Sequence, residues 1–310
     1  MQLEPNVSTF LELIAQSPVA DIHKGRPADA RGLLRSLMGA PPRREVRLVE
    51  DRVEFLNGTD LRLRVYSDTE APKACIVYLH GGGWVLGSVE ESDPFARELA
   101  HASGCLVVSV EYRLAPEHPF PTGLDDCQAA VDWAAAKFAA PSGLALPLVL
   151  LGDSAGGNLA TVVATRARDA GGPPIALQVL AYPVTDCRFD TGSYHDYANG
   201  PLLTTEWMEW FFHHYAGEPR HRSDPRISPL RQADLGNLPA ALVLTAEHDL
   251  LRDEGEAYAA RLQAAGVPTR LIRYPQQIHG FLTMVGLSSA TATALNDIAR
   301  AIDDFLPVSD

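Results

Sequence analysis

The sequence predicts an α/β protein built on an open, mostly parallel sheet with helices on both faces. Three observations predict it. Short continuous apolar runs, ACIVYL, CLVVSV, LPLVLL, IALQVLAY, ALVLTA and TRLIRY, suit strands buried on both faces. Helical patterns separate most of these runs, and alternation of that kind implies right-handed crossovers between parallel strands. The 310 residues are 46% hydrophobic and 21% charged, enough apolar material for a sizeable core.

The elements follow in order. The first forty-odd residues read as short helices broken by Pro and Gly. REVRLVEDRVEFL and LRLRVYS then flank Asn57-Gly58, a strong two-residue hairpin signal, so antiparallel strands open the sheet. The six apolar runs bring the expected sheet to eight strands. Helical patterns cover Ser92–Ala102, Leu124–Ala139, Asn158–Ala170 and Glu254–Ala265. From about Val184 to Asn237 the alternation breaks, and the chain turns aromatic: Tyr194, Tyr197, Trp207, Trp210, Phe211, Phe212 and Tyr215. An excursion this long in a compact domain predicts a lid or subdomain.

Composition narrows the function. Lys and Arg total 26 against 39 Asp and Glu, a formal charge of −13, with no basic run for a phosphate backbone. Nucleic acid is therefore excluded as a partner. No apolar run approaches the ~20 residues of a membrane helix. MQLEPNVSTFLELIAQ has neither the basic nor the apolar region of a secretory signal, so a cytoplasmic location is expected. Cys75, Cys105, Cys127 and Cys187 form no CxxC pair and read as small buried thiols. No HExxH, zinc-finger or EF-hand spacing occurs, and neither a metal nor a cofactor is expected.

Two motifs carry chemistry. Gly152-Asp153-Ser154-Ala155-Gly156 lies between a strand run and a helical run. A serine on such a sharp turn projects its hydroxyl above the sheet, and the turn crowds any side chain at the flanking glycines. The helix behind it offers backbone N–H groups to developing negative charge. His80-Gly81-Gly82-Gly83-Trp84 follows ACIVYL. Consecutive glycines let amide donors converge on one point, as the oxyanion of acyl transfer requires. The loop lacks the Lys-Ser/Thr and the GxGxxG spacing of phosphate-binding loops.

With HGGGW and GDSAGGN in this order, the sequence resembles the hormone-sensitive-lipase-like branch of the α/β-hydrolases, an esterase family. EYRLAPEHPFP (Glu111 to Pro121) and HDLLRDEGEAYA (His248 to Ala259) agree with it. The resemblance runs from about Glu45 to the carboxyl terminus, and is thinner before that and across the aromatic interval. It implies an α/β-hydrolase fold with a helical cap.

Glu247, Asp249, Asp253 and Glu254 follow the run ALVLTA. Glu247 is close to the strand end, and Asp253 and Glu254 fall in an expected first helical turn, where acids favour the dipole. Asp249 is in the loop and matches the family's triad acid. His279 is the histidine beyond the final strand, in a loop closed by Gly-Phe as in the family. Gln276-Gln277 depart from the small residue or Gly that the family usually places two before this His. The chain order Ser154, Asp249, His279 is that of the fold. The resemblance then implies Ser154 as nucleophile, His279 as base and acid, and Asp249 as the imidazole's partner. It implies an oxyanion hole from the amides of Gly82, Gly83 and Ala155, with Gly81 needed for the loop path. Asp153, Asn158 and His80 read as structural, and Arg113, Asp125 and Asp126 as an internal ion pair.

The resemblance places a cap over the serine from residues 1–45 and 184–224, with the core in 46–183 and 225–310. Trp84 is a candidate pocket-lining residue. The expected activity is cofactor-free hydrolysis of short- to medium-chain carboxylic esters. Alternatives are amide, lactone or thioester cleavage, and a non-catalytic receptor on the same fold. The family often dimerises through the last strand, here TRLIRY, although Arg270 and Arg273 there would also suit edge protection.

Overall fold

The computed structural model describes residues 2–38, 43–139 and 146–306. Of the expected amino-terminal helical stretch and cap, residues 1 and 39–42 lie outside the described residues. Helices α1 (Pro5–Ala15) and α2 (Pro27–Met38) flank a tighter turn at Pro18–Lys24. All three begin on a proline, whose missing N–H and fixed φ suit the first helical position.

Strands β1 (Leu48–Leu56) and β2 (Thr59–Ser67) then form the expected hairpin. Asn57 and Gly58 both take positive φ, 47° and 72°, so Leu56 pairs directly with Thr59. β3 (Cys75–Leu79), β4 (Leu106–Val110), β5 (Leu148–Asp153), β6 (Ile175–Ala181), β7 (Ala240–His248) and β8 (Thr269–Ile278) complete an eight-stranded sheet. Its order is β1-β2-β4-β3-β5-β6-β7-β8. β2 runs antiparallel to both of its neighbours and every other pairing is parallel.

Helices α3 (Val89–Ser103), α4 (Thr122–Ala134), α5 (Ala155–Ala170), α8 (Arg252–Ala264) and α9 (Ser289–Phe305) cover the sheet. Alternate residues of the inner strands enter opposite cores. Cys75, Val77 and Leu79 pack with α4, α5 and α8, while Ile76 and Tyr78 pack with α3 and α9. Both faces are therefore apolar, and the strands read as unbroken runs rather than as alternation.

Helices α3, α5 and α8 start two or three residues before the expected positions, and larger departures lie elsewhere. The helix after β4 ends as a wider turn over Ala135–Ala139. β8 continues through Pro275 to Ile278, with Gln276 at φ 61° and a register shift opposite His248. α9 has no counterpart in the sequence reading, although Ala294, Leu295, Ile298, Ala301 and Ile302 make one buried stripe. The interval 184–237 holds α6 (Gly192–Asp196), α7 (Thr205–Ala216) and two single turns, with no strand. α7 meets the amino-terminal segment, where His23 Nε2 lies 3.1 Å from Glu206 Oε2. No helix among the described residues is long and apolar enough to cross a membrane.

Candidate active site

β5 delivers Asp153 and Ser154 to a turn that α5 leaves at once. Ser154 has φ 55° and ψ −118°, a conformation that a non-glycine residue holds only when its surroundings impose it. The bond from the Ser154 N–H to the Ala181 carbonyl (2.8 Å) helps to impose it. A Cβ on Gly156 would sit 1.9 Å from the Leu79 carbonyl oxygen, so only glycine lets α5 start this close to β3.

The turn points the hydroxyl at the loop after β8. Ser154 Oγ lies 2.9 Å from His279 Nε2, and His279 Nδ1 lies 2.8 Å from Asp249 Oδ2. A carboxylate only accepts, so Nδ1 carries the proton and Nε2 accepts from the serine hydroxyl. Asp249 is 1% exposed, Ser154 8% and His279 9%, so these bonds are shielded from water yet the serine is reachable. The second Asp249 oxygen accepts the Leu251 N–H (2.9 Å), which fixes the carboxylate. Tyr182 packs its ring against the imidazole, with centroids 4.8 Å apart.

The neighbouring acids are engaged elsewhere. Glu247 accepts the Gln276 N–H, Asp253 accepts the Ser193 N–H, and Glu254 accepts those of Thr185 and Asp186. Burial pushes the Glu254 carboxyl well above the usual range against those two bonds. Asp249 is the one of the four candidates brought to His279.

The loop after β3 lies beside the serine. The Gly81 N–H donates to Asp153 Oδ1 (2.9 Å), which also accepts the Tyr78 hydroxyl (2.8 Å). Burial raises the Asp153 carboxyl to about 6, although these two bonds pull the other way. Gly81 thus shapes the loop with its amide engaged, whereas the Gly82, Gly83 and Ala155 amides bond to no other group among the described residues. Amides left free beside an activated serine can receive a developing oxyanion. Burial holds His80 down at about 4, and its neutral ring donates to the Gly81 carbonyl (2.8 Å) while stacking on Tyr112. From α2, Arg31 donates to the Val85 and Ala115 carbonyls, at 2.7 and 2.6 Å.

Trp84 departs from its expected place. It is 1% exposed and stacked on Tyr215 at 4.4 Å, with Phe212 at its edge, so it joins this loop to α7. Phe211 of α7 lies over the loop instead, its ring 2.2 Å from where a Cβ on Gly83 would stand. Leu202 approaches Gly280, beside His279. Nothing local in the sequence marks Phe211, Leu202 or Tyr182. Their aromatic or apolar character is shared with many buried neighbours, and only the fold singles them out.

Asp153, Asn158 and His80 all make the structural bonds expected of them, Asp153 to Tyr78 and Gly81 as above. Asn158 bridges the Val184 and Ile227 carbonyls, and His80 braces its own loop. The ion pair is Arg113 with Asp126, while Asp125 pairs with Arg166.

The α/β-hydrolase fold family matches residues 76–283 of the chain, from β3 through the loop that carries His279. The chain belongs to it. Among relatives of this α/β-hydrolase is carboxylesterase NlhH of Mycobacterium tuberculosis, 37% identical over 96% of the chain and 97% of that protein. Ethyl acetate hydrolase of Pseudomonas putida is 35% identical over 99% of the chain and 100% of that protein. The crystal structure of a thermostable esterase from Pseudomonas putida superposes with a TM-score of 0.90 at 36% identity, covering 99% of each chain. The similarity therefore extends beyond the matched core to the amino-terminal segment and to α9.

Proposed function

We propose that this α/β-hydrolase is a serine esterase that cleaves short- to medium-chain carboxylic esters through an acyl-enzyme. The observation that carries the reading is the pair of bonds Ser154 Oγ to His279 Nε2 (2.9 Å) and His279 Nδ1 to Asp249 Oδ2 (2.8 Å). In this reading Ser154 Oγ attacks the ester carbonyl and His279 takes its proton. Asp249 holds the Nδ1–H tautomer and stabilises the imidazolium without being protonated. The amides of Gly82, Gly83 and Ala155 receive the oxyanion, His279 returns the proton to the leaving alcohol, and water repeats the sequence to release the acid.

The segments 1–45 and 184–224 act together as the cap, supported by the contact of His23 with Glu206 and by Trp84 stacking on Tyr215. Phe211 over Gly83 and Leu202 beside Gly280 narrow the approach to the serine, which supports a short acyl group. A relative named for ethyl acetate hydrolysis supports the same end of the range. A cytoplasmic location belongs to this reading, supported by four cysteines that are all free thiols. So does a homodimer through β8, whose outer edge has no strand beside it and exposes Leu271.

The test is hydrolysis of p-nitrophenyl esters from acetate to laurate. Turnover is expected to fall along the series, and Ser154→Ala is expected to lose nearly all of it, on the order of 10⁶-fold. A steady rise toward long, emulsified esters would remove the chain-length assignment. Absence of both turnover and covalent labelling of Ser154 by an organophosphonate would favour a receptor. Labelling without ester turnover would move the reading to amides or lactones.

A further inference from the structure

The amino-terminal residues reach two of the loops that carry the triad. Before α1 begins, the Gln2 carbonyl lies 2.9 Å from His248 Nε2. A carbonyl only accepts, so His248 carries its proton on Nε2, and its Nδ1 accepts the Tyr197 hydroxyl at 3.1 Å. His248 directly precedes Asp249. Two residues on, the Glu4 carboxylate accepts the Ser289 N–H, at 2.9 Å to Oε1, in the first turn of α9. Its Oε2 lies 3.3 Å from the side-chain amide of Gln277 and 3.1 Å from the Ser288 hydroxyl. That hydroxyl is also 2.8 Å from Gln277 Oε1, which closes a ring of three side chains.

Gln277 is the residue that departs from the small residue expected two positions before His279. The residue is 4% exposed, so its amide N–H needs an internal acceptor, and the Glu4 carboxylate stands there. One carboxylate thus holds both ends of the loop from Gln277 to Ser289. The negative charge also suits the amino terminus of α9.

We infer that Glu4 is a positioning residue for His279, acting through Gln277 and the start of α9 to hold the loop in line with Ser154. The inference rests on the esterase reading for its kinetic consequence but not for its structural one. Displacing a base from its nucleophile slows chemistry without weakening substrate binding.

The experiment uses the full chain and two readouts. In hydrogen exchange, Glu4→Ala is expected to accelerate exchange in residues 279–289 and to leave β3 to β6 unchanged. With p-nitrophenyl acetate the same variant is expected to lose about tenfold in kcat with KM nearly unchanged. Gln277→Glu sets two carboxylates face to face and is expected to lose as much. The pair Glu4→Gln with Gln277→Glu restores one carboxylate opposite one amide and is expected to recover most of that loss. Wild-type exchange and kcat in Glu4→Ala, or a double variant no better than Gln277→Glu, would overturn the clasp. A wild-type protein without ester turnover whose Glu4→Ala variant still exchanges faster at 279–289 would overturn the esterase reading and leave the clasp standing.

Discussion

Asp153 has two neighbours whose protons it must accept, and this makes its substitutions informative. Asp153→Ala would leave the Tyr78 hydroxyl and the Gly81 N–H buried without acceptors, at about 1–3 kcal/mol for each group. Asp153→Asn keeps an oxygen for both donors. We expect the alanine variant to melt lower and to lose at least tenfold in kcat/KM, as the glycine loop moves by a fraction of an ångström, roughly as positioning effects do. The asparagine variant should stay near wild type, and equal losses in both would remove the positioning role. Titration gives a second check. The folded chain keeps the Asp153 proton up to about pH 6, whereas the ordinary value is 3.8. The protonated form therefore favours folding, and the stability it contributes is lost as pH rises from about 4 to about 6. The melting temperature of wild type relative to Asp153→Asn should fall across that window. A constant difference would contradict it. At this scale, the glycines around Ser154 were legible because sterics leave no other residue there. The work of Asp153 was not, because its partners Tyr78 and Gly81 come from a different strand and loop. The place of Trp84 is hidden for the same reason: the residue that covers it, Tyr215, arrives from a distant helix.

Elements were readable where one local rule dominates. Asn57-Gly58 specified the β1–β2 hairpin because both positions need positive φ. The central strands were legible because both faces are buried. Pro275 and the two glutamines after Tyr274 carry no strand signal, yet the Gln276 N–H finds the Glu247 carboxylate and β8 carries on to Ile278, directly before His279. The α9 stripe is present in the sequence, with Ala294, Leu295, Ile298, Ala301 and Ile302 at helical spacing opposite charged residues, but no strand run follows it to mark it as a crossover. For α7, composition announced an aromatic element without saying which ring would lie over the glycine loop. Phe211 lies over Gly83, and its removal should widen the cleft there. Phe211→Ala is expected to raise kcat/KM for p-nitrophenyl octanoate relative to acetate by about tenfold or more, since each added methylene contributes about 1–3 kcal/mol in a fitted pocket. An unchanged chain-length profile would show that acyl chains leave the site by another side.

At the scale of the whole molecule, β1 and β8 are the outermost strands of the sheet among the described residues. The guanidinium groups of β8 are occupied, Arg270 by Asp304 and Arg273 by Glu256, which leaves Leu271 uncovered between them. Light scattering at micromolar concentration should give the mass of a dimer, and Leu271→Asp that of a monomer. A monomeric wild type would remove the dimer. The formal charge of −13 gives two such molecules a mutual repulsion that salt screens, so association should strengthen with ionic strength. The fold class was legible from rhythm alone, whereas the meeting of the chain's two ends was invisible, because Glu4 and Ser289 are 285 residues apart. That separation also orders events in time. Residues 2–4 leave the ribosome before His248, Gln277 and Ser289, with most of the sheet made between them. The segment that carries Glu4 must therefore wait until β8 and the start of α9 are made before its partners exist. A chain that stops before β8 lacks His279, Gln277 and the stripe of α9 that completes one core of the sheet, so it is expected to show no turnover.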